Sequence, residues 1–240
     1  MSLKLRFVLL LLSLNQLVIF SQYNFEMGLS VGAANHFGEI GGKNTEAKGF
    51  VGDLLLKQTT PSASWFLRYK ITPHFFAYSS LGYVRLSGDD QYSLEGPRYW
   101  RNLRFINNII EWTSKIEYVF LDIPDLGRKG RYNTSLNLYG CMGFTLLHHS
   151  PRGSLDGKNW VNLRPMQTEG FPYKRVVFGT PIGGGLVITH NRYTRFGLVL
   201  NYVKTFTDYI DDISNIYVDP SILPSTDAAA YANQSTGVVP

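Results

Sequence analysis

The sequence predicts an all-β fold, a small antiparallel up-and-down transmembrane β-barrel of eight strands. Three observations predict it. Seven segments alternate between bulky apolar residues and small, polar or charged ones, the period-two signature of a strand. The connections between them alternate long and short, as in outer-membrane barrels with long outer loops and short periplasmic turns. The chain is also poor in charge, at 17%, and rich in aromatic residues, at 14%, while no apolar run beyond its first residues is long enough for a membrane helix.

Residues 1–21 have the order of a secretory signal peptide: Lys4 and Arg6, a Leu-rich run from Phe7 to Leu14, then Ser21 near the cut. Asn15 and Gln16 interrupt that run well short of the ~20 residues a span needs, which argues against a retained anchor. The first strand covers 23–34, with Tyr23, Phe25, Met27, Leu29, Val31 and Ala33 on one face. Asn24, Glu26, Gly28, Ser30 and Gly32 lie on the other. Next comes a long connection with room for a short element at 50–56. The second strand, 63–71, sets Trp65, Leu67, Tyr69 and Ile71 opposite Arg68 and Lys70. Thr72-Pro73-His74 is a tight turn, because proline cannot continue the ladder. The third strand, 75–86, places Leu81 and Tyr83 opposite Ser80 and Gly82, though Tyr78 and Val84 share the small-residue face.

After a second long connection the fourth strand, 105–121, alternates Ile110, Trp112, Ile116, Tyr118 and Phe120 with Glu111, Thr113, Lys115 and Glu117. A face carrying Glu, Lys and Glu is costly unless it meets water or opposite charges. The fifth strand, 134–147, alternates Leu136, Leu138, Met142 and Phe144 with Asn137, Tyr139, Cys141 and Thr145. A third long connection, 148–172, leads to a hairpin of strands around 176–188 and 196–203 joined at His190-Asn191-Arg192-Tyr193. The domain plan is thus a signal peptide at 1–21, the barrel at 22–207 with seven strands visible, and an outer loop or tail at 208–240. A bacterial single-chain barrel has an even strand number, so the expectation is a chain truncated before its closing strand.

The charged set Glu26, Arg68, Lys70, Glu111, Lys115 and Glu117 falls opposite the apolar rows, where mixed signs can pair inside a narrow lumen. Trp65, Tyr69, Trp112, Tyr118, Phe120, Phe196 and Tyr202 fall on the apolar side, as interfacial girdles would. A soluble lipocalin-type barrel has the reverse polarity. The wholly apolar row Trp65 to Ile71 argues against it. Cys141 is the sole cysteine, which excludes a disulfide-stapled secreted domain. The formal charge of +5 includes Lys4 and Arg6 of the signal, and the remainder is too mild and dispersed for nucleic acid.

No catalytic, cofactor or metal site is expected. Adjacent His148 and His149 point to opposite faces of a strand and chelate poorly as a pair. Ser150 and Glu169 lie near them without any hydrolase motif. Gly183-Gly184-Gly185 precedes no helix pattern, so strong bending and close lumen packing explain it better than phosphate binding. An outer-loop network is expected from Arg101, Asn102 and Arg104 with Asn107 and Asn108, and from Asp208, Asp211 and Asp212. It is either a loop-fixing set of hydrogen bonds or a contact for a partner, an anion such as a lipopolysaccharide phosphate, or Ca²⁺.

Several short runs stand in a telling order: Gly38-Glu39-Ile40-Gly41-Gly42, Ser87-Gly88-Asp89-Asp90, and Arg101-Asn102-Leu103-Arg104-Phe105 with Asn107, Asn108 and Glu111. Thr168-Glu169-Gly170, Pro181 before the three glycines, Lys204 through Asp212, and Tyr217-Val218-Asp219 complete the set. Together they resemble the PorG-like outer-membrane β-barrel family of the Bacteroidota type IX secretion system. That resemblance implies a non-enzymatic barrel in the bacterial outer membrane. It also implies association with a periplasmic ring built from a lipoprotein and its partner protein, in machinery that exports adhesins, proteases and gliding-motility proteins. The short turns would then face the ring, with Asp125, Arg128, Lys129 and Arg192 as contacts. The alternative is a generic small barrel serving membrane integrity or adhesion through its long outer loops. Either way the lumen of an eight-stranded barrel is filled by side chains and is no export channel.

Overall fold

The computed structural model describes residues 24–38, 40–41, 55–93, 97–124, 134–191, 194–214 and 218–235. They form one curled antiparallel sheet, a half-barrel, with little helix. The strands are β1 (Phe25–Ala34), β2 (Thr60–Lys70), β3 (Phe75–Asp89), β4 (Arg104–Ile123), β5 (Ser135–His148), β6 (Pro151–Gly153), β7 (Val161–Asn162), β8 (Val176–Thr189) and β9 (Arg195–Thr205). Their order across the sheet is β1-β2-β3-β4-β5-β8-β9, each pairing with its neighbour in sequence order apart from the small β6–β7 pair, which folds off the outer end of β4.

The seven long strands are those the alternation predicts. Their bounds shift by up to three residues: β2 starts already at Thr60, and β3 and β4 run on past the predicted ends and pair out to Asp89 and Arg104. β6 and β7 lie inside the third long connection and carry no sequence signal, since three and two residues are too short to show a period. The element expected at 50–56 falls mostly outside the described residues, and the only regular structure described next to it is a single 3₁₀ turn, Leu56–Gln58. The signal segment 1–21 is also outside them.

The polarity of the sheet is inverted relative to a protein in water. The bulky rows point outward: Leu29 is 81% exposed, Val31 85% and Leu200 76%. The charged row points into the curl, where Glu117 is 1% exposed and Lys115 4%. A bulge between Val119 and Leu121 shifts the pairing of β4 with β5 by one residue. The extra residue resets the alternation, so Val119 stays inside while Phe120 and Leu121 are both exposed. Apolar packing is confined to three small clusters inside the curl and above it. Phe76, Val119, Tyr139 and Cys141 fill one end of the interior. Ile109, Leu147 and Ile210 close the other end. Ile40, Leu103 and Phe105 sit among the outer connections.

The glycine run of β8 has a steric cause. A Cβ on Gly183 would lie 2.1 Å from the Leu200 carbonyl oxygen of β9 and 2.6 Å from Asn201 Oδ1. Gly140, on the neighbouring strand, has no heavy atom nearer than 3.9 Å. Gly183→Val is therefore expected to lower the unfolding free energy by about 1–3 kcal/mol, as overpacking does. Gly140→Ala should leave it unchanged. Urea unfolding of the refolded protein in detergent, followed by tryptophan fluorescence, measures both.

Candidate functional site

Two polar assemblies stand out, one inside the curl and one across its outer end. Strand alternation puts Glu26 of β1, Arg68 of β2, Lys115 and Glu117 of β4 and Arg195 of β9 on the inner face. Arg68 Nε donates to Glu117 Oε2 at 2.6 Å, and Arg68 Nη1 reaches Glu26 Oε2 at 3.3 Å. Lys115 Nζ lies 3.6 Å from Glu117 Oε1, and Arg195 pairs with Glu26 Oε1. The cations also find aromatic faces: Arg68 Cζ is 3.8 Å from the Phe76 ring centre, and Lys115 Nζ is 4.2 Å from that of Tyr78. Most of the predicted lumen set is thus brought together. Lys70 stays half-buried at the end of its strand, and Glu111 accepts from the Thr113 hydroxyl two residues on in its own strand.

The outer assembly is built by the long connections. Asp90, fully buried, accepts from Gly41 N at 2.9 Å, Leu103 N at 3.2 Å and Arg101 Nε at 2.8 Å. One carboxylate so ties the first connection, the end of β3 and the start of β4. Arg104 lies 3.3 Å from Asp89 in the same joint. Asn102 adopts a left-handed φ of 58°, which asparagine tolerates better than most residues, and its Oδ1 accepts from Gln91. On the far side the last loop turns back over the mouth of the curl. Ile210 packs on Ile109 and Leu147, and its carbonyl accepts from Asn107 Nδ2 at 2.7 Å. Asp211 accepts from Ile40 N at 3.1 Å and pairs with His36 at 3.2 Å. Asp212, with φ 76°, bonds to Thr168 Oγ1 at 2.6 Å and to the Tyr173 hydroxyl. Glu169 accepts from Ser214 N at 2.6 Å. The rings of His149, Tyr173 and Tyr209 stack beneath, 5.8 and 4.9 Å apart.

Arg101, Arg104, Asp211 and Asp212 line one cavity of about 440 Å³, together with Glu169 and residues of the helix Thr226–Ala232. The structure therefore joins Arg101, Arg104, Asp211 and Asp212 of the predicted network around one space. Asn102 is fixed beside it through Gln91, and Asp208 remains exposed on the loop that leads in. The predicted contacts Asp125, Arg128, Lys129 and Arg192 lie outside the described residues. The sequence did not assign Asp90, His36, Thr168 or Tyr173 to this network, although Asp90 and Thr168 stand in the short runs quoted above. The Asp89-Asp90 pair at a strand end, facing arginines eleven and more residues on, was the legible sign of one of them.

Burial pushes the Asp212 carboxyl up to about 7, its hydroxyl partners Thr168 and Tyr173 pull it back, and Asp211 and Glu169 push it further up. The Tyr173 phenol is likewise driven far above its usual range, first by burial and then by Asp212. Burial lowers His149, whose Nε2 donates to the Lys174 carbonyl at 3.0 Å. His148 is exposed and His149 buried, on opposite faces as the alternation requires. Among the described residues no group of three or more His, Cys, Asp or Glu is arranged to hold a metal ion.

The class these features define is an antiparallel curled sheet with a charged interior and an apolar exterior, closed at one end by its own loops. The chain matches no protein-family model, no curated protein and no solved structure.

If Asp90 holds the outer connections together, Asp90→Ala strips the bonds to Gly41, Leu103 and Arg101 at once and removes a buried carboxylate that Arg101 meets. Losing one side of a buried pair costs about 3–5 kcal/mol. Trypsin cleavage at Arg101 and Arg104 should accelerate at least about tenfold, while amide protection in β4 between 109 and 118, and in the stretch of β3 between 75 and 84 that pairs with it, stays as in the parent chain.

Proposed function

We propose that this chain is an outer-membrane β-barrel and a non-enzymatic scaffold of the Bacteroidota type IX secretion system, of the PorG-like type, which positions the periplasmic ring. The observation that carries the membrane part is the inverted polarity. Rows such as Met27, Leu29 and Val31, or Phe196, Leu198 and Leu200, lie exposed while Arg68, Lys115 and Glu117 are buried. In water that exposure forfeits about 25 cal/mol for each Å² of apolar surface. Against lipid it costs nothing. Aromatic residues gather at two levels of the outer face, as at two membrane interfaces. Trp112, Phe144, Phe178 and Phe206 form one continuous row with ring centres 5.5, 6.1 and 5.7 Å apart. Phe25 with Tyr69 and Phe75 with Tyr118 mark the other.

Direction along the sheet supports an eight-stranded closure. In a meander of seven long strands, β1 and β9 run the same way, so one strand antiparallel to both is what completes the ring. A second copy inserted in the same sense offers only parallel edges. The occupied interior and the Ile210 plug argue for a scaffold over a conduit. The secretion part rests on the motifs of the first, second and last outer loops and on the short turns at the opposite end. The alternative, a generic barrel acting through its outer surface, is favoured by one observation: the long connections fold into a cap with its own buried ion pairs.

Deleting the gene separates the two. Loss of export across many cargoes is expected, whereas a surface or permeability defect alone would support the generic barrel. Arg128→Glu with Lys129→Glu should abolish co-purification of the ring lipoprotein and lower secretion with it. Reconstituted protein should show no conductance on the scale of a porin.

A further inference from the structure

Asp212 is 2% exposed and left-handed, and it stands where three outer connections meet. From the third connection, Thr168 and Tyr173 bond its carboxyl, and Glu169 reaches across to Ser214. From its own loop, Asp211 stands next to it and anchors the first connection through Ile40 N and His36. Arg164 holds the Tyr173 carbonyl at 2.9 Å. Arg101, just before β4, Arg104 at its start and Tyr231 of the last helix line the cavity beside it. Two residues upstream, Ile210 is the plug over Ile109 and Leu147. One joint thus gathers three carboxylates away from water and fixes the plug of the mouth.

We propose that this joint is a proton-operated latch: with Asp212 protonated the last loop is locked to the 168–173 segment, and when Asp212 ionises the two part and Ile210 is released from the mouth. The physical cause is the crowding of carboxylates. A third buried charge beside Asp211 and Glu169 adds desolvation and repulsion, and both are relieved when water enters the joint. The direction is fixed by linkage. The carboxyl titrates at about 7 in the locked joint, above its ordinary value of 3.8. The locked state therefore binds the proton more tightly. Its contribution is full below the ordinary value and is lost as pH rises through the locked one. The cap is shut in acid and loosens in mild alkali. The latch does not depend on the secretion role, only on the loops described above.

The test is amide hydrogen exchange of the full chain in detergent micelles between pH 5.5 and 8.5, expressed as protection factors to remove the intrinsic pH dependence. Across that window the two protonation equilibria predict a loss of protection of about thirtyfold at Gly170 and Ser214. Amides of β3 and β4 serve as the reference and should not change. Asp212→Asn, a neutral side chain of the same shape, should hold the protection of the acid form throughout. Glu169→Gln, which removes one like charge, should move the midpoint to lower pH. A parent chain whose protection at Gly170 and Ser214 is flat across the window overturns the proposal. So does an Asp212→Asn chain that loses protection in parallel with it. If that variant does not fold, the parent profile and the Glu169→Gln midpoint decide.

Discussion

The Glu117 carboxylate is held between Arg68 and Lys115 on the inner face of the sheet, and its burial constrains everything around it. β2 and β4 are not neighbours, since β3 runs between them. Arg68 therefore meets Glu117 only while the sheet is curled. Uncurling it would strand a carboxylate and a guanidinium away from each other, at a cost of several kcal/mol if they stayed buried. The pair is part of a wider set that reaches both open edges, Glu26 on β1 and Arg195 on β9. Once the inside is given over to these charges, the strands have only their outer faces left for Leu, Val, Ile and the aromatic residues. On the proposed reading lipid solvates those faces, and the ion pairs are what fit a narrow interior without leaving a pore.

The outer end obeys a different logic. There the connections are long, and their backbone groups have no ladder to satisfy them. Carboxylates do that work instead. Asp90 meets the N–H groups of Gly41 and Leu103, Asp211 that of Ile40, and Glu169 that of Ser214. Each such bond ties segments far apart in sequence, so the loops behave as a folded cap. The same economy concentrates negative charge in a dry place, which is why one member of the group, Asp212, is held at a raised protonation point near neutrality.

Much of the sheet was legible in the sequence because its alternation is strict. Leu29, Trp112 and Phe196 could be placed outside, and Arg68, Lys115 and Glu117 inside, from the period alone. What the period could not reveal was which charges meet. Arg68 and Glu117 lie 49 residues apart and their contact depends on curl, which pattern does not encode. The cap was less legible still. Arg101, Arg104, Asp211 and Asp212 stood out as polar residues at a junction. Asp90 showed only as half of the Asp89-Asp90 pair, and the hydroxyls of Thr168 and Tyr173 carry no signal until the loops are folded, because the partners of all three include segments up to 49 residues away. Pieces such as β6 and β7 are too short for periodicity and exist because the outer end of β4 offers an edge to pair with.

On the proposed reading the apolar rows face lipid and the charged row faces a closed interior. Single-site spin labelling in bilayers, in a Cys141→Ser background, tests it directly. Labels at Leu29, Ile116 and Leu198 should collide freely with dissolved oxygen and hardly at all with a water-soluble nickel chelate, while a label at Thr113 should be shielded from both. Ready access of the chelate to Leu29, Ile116 and Leu198 would mean that those rows lie in water, and the barrel reading would fall with them.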